Sequence, residues 1–230
     1  MNQNLQAAFP GYAGSSVPVE QRNRVLRNTY WLLALSMVPT VLGAWIGVTT
    51  GIASAMSPGI SLIVFLVGAY GLMFAIEKTK NSAAGVPVLL GFTFFMGLML
   101  SRLVGLVLGM ANGPALIMMA FAGTGLVFFG MAALSSIIKR DLSSLGKWLF
   151  IGAVMILIAS LANFFIQSGA LMITICVLAV GIFSAFILHD LKRVKDGYET
   201  NYITATLGVY LSLYNVFQSL LALFGIGSSD

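Results

Sequence analysis

Seven long apolar runs divide this chain, and eleven of its twelve Lys and Arg residues cluster at alternate ends of them. Arg22, Arg24 and Arg27 precede the first run, and Lys78 and Lys80 follow the second. Lys139, Arg140 and Lys147 follow the fourth, and Lys192, Arg193 and Lys195 follow the sixth. The connections near residues 50–57, 110–113 and 167–169 carry no charge. A run of roughly 20 apolar residues matches about 30 Å of hydrocarbon when helical. Helices are required because lipid offers backbone groups no hydrogen-bond partner. Short loops rich in Lys and Arg stay in the cytoplasm. The pattern therefore predicts an all-α membrane protein of seven transmembrane helices, with its N-terminus cytoplasmic and its C-terminus extracytoplasmic.

Composition excludes the soluble alternatives. Charged residues make up 8% of the chain, against roughly 25% in soluble domains. The net charge of +5 would point to nucleic acid in a soluble protein. Here the charge asymmetry across the bilayer accounts for it, so no nucleic-acid partner is expected. The basic loops should instead attract anionic lipid headgroups. Cys176 is the only cysteine, so no internal disulfide is possible. No His/Cys cluster is present, so no zinc, haem or other cofactor is expected. Residues 1–21 are polar, with Gly, Ser and Pro, and read as the bulk of a disordered cytosolic arm at 1–24. The first run is too long for a cleaved signal.

The predicted spans are Thr29–Thr49, Gly59–Ile76, Val86–Gly109, Pro114–Ile138, Trp148–Gln167, Ala170–Leu188 and Tyr202–Phe224. They form one transmembrane domain over 25–227, followed by a short extracytoplasmic tail at 228–230. Pro39 should bend the first helix. The connections are short, which favours sequential helices as antiparallel neighbours. The seventh run is the least lipid-like. Thr204, Gly208, Ser212, Asn215, Ser219 and Ala222 recur at helical spacing and give one face of small or polar residues. Small residues permit close helix approach, and buried Ser and Asn can bond across the gap. The seventh helix is therefore expected inside the bundle, with the sixth against it. Gly181 and Ala185 in the sixth run, and Gly43 and Gly47 in the first, are further close-packing pairs.

Arg102 is the only charge well inside a run. An intramembrane ionisable residue is a functional candidate. It lies seven residues before Gly109, or roughly 10 Å at 1.5 Å per residue, so snorkelling to the outer surface is favoured over a charge facing the bundle interior. Asp190 ends the sixth run beside His189. Partial desolvation could raise its pKa and let it gate helix contacts, or it could pair with Arg193 at i,i+3. His189 reads as an interfacial residue facing headgroups, and Glu77 as a partner of Lys80. No Ser–His–Asp set, HExxH, nucleotide loop or membrane-embedded carboxylate pair is present, so no enzymatic activity is expected.

Several segments carry a family resemblance. Residues Lys139-Arg140-Asp141-Leu142-Ser143-Ser144-Leu145-Gly146 resemble the signature after the fourth helix of the Bax inhibitor-1 family, with Asp141, Ser143 and Gly146 as its motif positions. Gly91-Phe92-Thr93 with Gly97 resembles that family's third helix, and residues 210–217 (YLSLYNVF) its last. Residues 25–30, 70–74 and 199–203 resemble the bacterial inner-membrane branch whose members bind and modulate the FtsH protease. The resemblance runs from Val25 to Gly225. It implies six helices wrapped around a central seventh and a non-enzymatic regulator. The implied partner is FtsH or its associated membrane proteins, and the implied place is the inner membrane with a periplasmic C-terminus. It implies as an alternative a pH-sensitive cation leak for calcium or protons, gated near Asp190, Ser212 and Asn215. Family channels use a carboxylate pair. Asp190 matches the first position and Ser212 stands at the second, which weakens any pH switch of that type. Ser101-Arg102 stands where the family has Gly-Pro, and its positive charge disfavours a cation path there.

Overall fold

A computed structural model describes residues 17–228. Among these residues the fold is all helical: α1 Val19–Thr50, the single-turn α2 Ile52–Ala55, α3 Pro58–Thr79, α4 Gly85–Leu108, α5 Gly113–Ile137, α6 Leu145–Ile166, α7 Gly169–Asp196 and α8 Tyr202–Gly227. All except α2 are long and apolar enough to cross a bilayer. The seven predicted spans fall on these seven helices. The chain is a multi-pass, all-α membrane protein.

The helix ends differ from the apolar boundaries. Helix α1 begins at Val19, so Arg22, Arg24 and Arg27 lie on a helix, and residues 19–24 are not part of a disordered arm. The rest of that expected arm, 1–16, lies outside the described residues, as do 229–230 of the expected tail. Helix α7 runs two turns past Leu188 and stops at Gly197, whose φ of 83° ends it in the left-handed region. Nothing between Leu188 and Gly197 breaks a helix, and Lys192 pairs with Asp196 at i,i+4 (2.5 Å) to support the extension. The helix α1 is continuous through Pro39.

Chain order does not set the neighbours. α1 packs chiefly on α4, and no face of α1 packs on α3; likewise α5 and α6 stay apart. The expectation of sequential neighbours therefore fails for the first and fourth hairpins. Small residues decide instead. A Cβ on Gly43 would collide with the Phe94 carbonyl oxygen of α4, and one on Gly97 with the Thr40 carbonyl oxygen of α1. Gly47 similarly seats Ser101. Backbones in contact at this range gain van der Waals packing that no larger residue permits. Gly181, expected in a close pair with Ala185, is exposed and has nothing within 4 Å of its Cβ position.

The last helix, α8, is the most buried span, whereas α6 is the least. α8 packs on α7, α5, α1 and α4 and touches α3, while α6 packs mainly on α7. The polar residues of α8 are buried or half-buried except Gln218, yet Ser212 and Asn215 satisfy themselves locally. Ser212 Oγ donates to the Gly208 carbonyl (3.0 Å), and Asn215 Nδ2 to that of Leu211 (2.8 Å). The bonds that cross to other helices come from Thr206, whose Oγ1 lies 3.4 Å from the Thr29 carbonyl of α1, and from two tyrosines. Tyr210 OH meets Thr40 Oγ1 of α1 at 2.9 Å and the Thr93 carbonyl of α4 at 3.4 Å, and Tyr214 OH donates to the Met96 carbonyl at 3.4 Å.

Candidate functional site

The basic ends of the helices converge on the last turns of α7. Arg22 Nη1 of α1 donates to the Lys195 carbonyl (3.1 Å), and Lys195 Nζ donates to Ser136 Oγ of α5. Asn201 caps α8, accepting from the Ile203 and Thr204 amides, and its Nδ2 donates to the Lys80 carbonyl (3.1 Å) and Asn81 Oδ1 (2.9 Å). One side chain thus starts α8 and ties it to the connection before α4.

Asp190 sits in this convergence. Its Oδ1 lies 3.1 Å from His189 Nδ1, and its Oδ2 would lie 2.8 Å from a Cβ on Gly208. Glycine at 208 therefore lets α8 approach the carboxylate. A cavity of about 130 Å³ opens beside it, lined by Asp190, Arg193, Glu199, Thr204, Ala205 and Gly208. Thr204 Oγ1 is buried there without a hydrogen-bond partner. The structure does not join Asp190 to Arg193 in an ion pair, since His189 is the partner that Asp190 has. Nor does it bring Asp190 to Ser212 and Asn215. Ser212 lies one turn beyond Gly208, or about 6 Å along the helix, and neither residue lines this cavity. The carboxylate that shares the cavity with Asp190 is Glu199, which accepts from the Asn201 amide (2.8 Å). Its position in a loop gave no periodic signal by which the sequence could place it.

The motif loop between α5 and α6 closes the same region. His189 is buried, 6% exposed, because its ring packs on Gly146. A Cβ at 146 would lie 2.8 Å from Nε2 and 3.0 Å from Cε1. The expected headgroup-facing histidine is thus overturned: the loop covers it. Asp141 organises that loop, accepting from the Ser143 amide (2.8 Å) and from Ser143 Oγ (3.0 Å). The Ser143 amide, then its hydroxyl, and more weakly Lys192, hold the Asp141 carboxyl below its ordinary value of 3.8 against a small opposing desolvation. A depressed folded pKa contributes order that is complete above the ordinary value and is lost as pH falls through the folded one. The protection of the Ser143 amide, its exchange relative to the intrinsic rate at each pH, should therefore hold at neutral pH and fall as pH drops below the ordinary carboxylate value, and Asp141→Asn should abolish that step. Gly146→Ala should cost about 1–3 kcal/mol, because the His189 ring, held by Asp190, has no room to yield. Thermal unfolding of the purified variant measures this.

Arg102 lies elsewhere, at the charge-poor end. It is half-buried and lines a separate groove with residues of α3 and α6. Among the described residues it has no ion pair, and no group of three His, Cys, Asp or Glu is placed to hold a metal.

The sequence profile of the family described as "Inhibitor of apoptosis-promoting Bax1" matches residues 22–229. The chain belongs to this family. It is 40% identical over 208 residues to the modulator of FtsH protease of Escherichia coli (strain K12), covering 90% of this chain and 92% of that one. It is 36% identical over 210 residues to a membrane protein of Vibrio cholerae (91% and 92% covered) and 39% identical over 222 residues to a protein of Pseudomonas aeruginosa (95% and 97%). Neither the family's description nor these names carries a catalytic activity. The family resemblance read from residues 139–146, 91–97 and 210–217 is thereby established, and the geometry accounts for those segments. The first forms the loop over His189. The second and third form the contact among α1, α4 and α8 through Phe92, Thr93, Gly97 and Tyr210.

Proposed function

We propose that this protein is a non-enzymatic regulator in the bacterial inner membrane that binds and modulates the FtsH protease complex. The observation that carries this reading is the 40% identity, across nine-tenths of both chains, to a protein named as the modulator of that protease. Two features support it. The basic ends of the helices, placed in the cytoplasm by the positive-inside rule, form one tied surface around α7. The spans leave large apolar side chains such as Phe121, Leu126, Phe129, Phe150 and Phe165 exposed along α5 and α6, a membrane face open to a partner. Asp190, the motif loop and Gly146 then maintain the shape of the cytoplasmic end. Affinity capture of the full chain from native membranes should recover FtsH or its associated membrane proteins, and deletion should change the half-lives of membrane substrates. Capture without the protease and unchanged half-lives would sink the reading.

One observation favours a second reading, a pH-sensitive cation leak. Asp190 and Glu199 share a small polar cavity with an unpartnered hydroxyl at the cytoplasmic end of α8. Calcium or protons would pass by that cavity. Purified protein in liposomes should then release entrapped calcium, with a pH dependence that Asp190→Asn alters. Flux equal to that of empty vesicles discards it.

A further inference from the structure

We propose that the groove around Arg102 is a binding site for a glycerophospholipid, with the phosphodiester on the Arg102 guanidinium and an acyl chain along Leu62 and Phe164. The groove holds about 730 Å³ and lies between the first turns of α3 and the last turns of α6, over α4. α3 and α6 do not pack against each other along their lengths, so the space opens sideways to the lipid.

Its chemistry is one-sided. The polar side chains that line it are Arg102, Ser61, Asn163 and Gln167, and no carboxylate is among them. Arg102 has no hydrogen bond or ion pair among the described residues, and neither have the hydroxyl of Ser61 or the amide of Gln167. Asn163 uses its Oδ1 to accept the Ser168 amide (3.0 Å), which leaves its Nδ2 hydrogens free. Gln167, which ends α6, is the one described non-glycine residue with positive φ, at 55°. A non-glycine residue in that region is held there by its surroundings. Four donors, one of them a permanent cation, face a cavity with no anionic side chain. That complements an anion, and a guanidinium binds the two oxygens of a phosphate as a fork.

The remaining wall selects among anions. Leu62 and the exposed Phe164 would be solvated by hydrocarbon, and a free ion gains nothing from them. The position of Arg102, roughly 9 Å of helix rise before Leu108, puts the guanidinium within reach of the headgroup layer. A headgroup that comes to it turns a costly lone charge into a paired one. This inference does not depend on the protease reading.

The test uses the full chain purified in maltoside detergent, with native mass spectrometry and thermal unfolding as readouts. Three probes are compared: dioleoyl phosphatidylglycerol, dioleoylglycerol, which has the same chains without phosphate, and inorganic phosphate. The wild type should retain the phospholipid and unfold at higher temperature with it, and should respond to neither other probe. Arg102→Gln should raise the half-saturating phospholipid concentration roughly tenfold or more, as expected for losing a charge-assisted bond. Arg102→Lys should lose less. An unchanged response in Arg102→Gln overturns the proposal. An equal response to dioleoylglycerol overturns it too, because the phosphate is then unread; so does an equal response to inorganic phosphate, because the site is then a free-anion site. If Arg102→Gln does not fold, the double variant Asn163→Ala/Gln167→Ala decides: weakened phospholipid retention supports the site, and wild-type retention removes it.

Discussion

Gly97→Ala is expected to destabilise the protein by about 3 kcal/mol, the upper part of the range for overpacking substitutions. Its Tm should fall by roughly 10 °C. The reason is what the new methyl would meet. At 97 a Cβ would run into the Thr40 carbonyl and come within 3.0 Å of the Ala44 amide nitrogen. Both are backbone atoms of α1, so no rotamer change relieves the clash and the two helices must separate. Separation also pulls Gly43 from the Phe94 carbonyl and Gly47 from Ser101, so the loss extends along the whole contact. Gly91, on the same helix, is the control. It is exposed and nothing lies within 4 Å of its Cβ position. Gly91→Ala should leave Tm unchanged or raise it, since alanine is favoured over glycine in a helix interior by about 1 kcal/mol. Thermal unfolding of the two variants in one detergent compares them directly. Equal effects would mean that the α1–α4 contact is looser than the structure has it.

The same α1–α4 contact shows what a sequence can disclose. The apolar runs and the charge pattern locate all seven spans, because length and hydropathy are local properties. Gly43, Gly47 and Gly97 are each visible as small residues, but that they seat α1 on α4 is not. Loop length favoured α1 beside α3, and the gain from backbone contact placed α1 against α4. Similarly, the polar stripe of α8 marks a buried helix. It does not reveal that Ser212 and Asn215 bond to their own helix, because a hydroxyl or amide finds its i−4 carbonyl without leaving the turn. Asp190 was legible from its position at a run end. Glu199 was not, because it lies in a loop with no period to read; Thr204 and Gly146 were singled out from the sequence, but not that Thr204 shares a cavity with Asp190 or that Gly146 packs on His189. His189 was misread for that reason: the loop that buries it is adjacent in space and distant in sequence.

Tyr210→Ala should cost about 3–5 kcal/mol and Tyr210→Phe only about 1 kcal/mol. Tyr210 is the largest fully buried side chain, 1% exposed. Its ring meets Phe92 edge-on with centroids 6.0 Å apart and lies 6.3 Å from that of Tyr214. Removing it leaves a cavity where α1, α4 and α8 meet, and backbones already in contact cannot close in to fill it. Removing only the hydroxyl is mild for a specific reason. Thr40 Oγ1 also donates to the Ser36 carbonyl (2.8 Å), so its hydrogen keeps a partner when the Tyr210 hydroxyl is removed. Phenylalanine therefore orphans no buried donor. A double cycle with Thr40→Val should return a coupling of roughly 0.6 kcal/mol, typical of interhelical hydrogen bonds in lipid. If Phe costs as much as Ala, the hydroxyl network rather than the ring holds the three helices together.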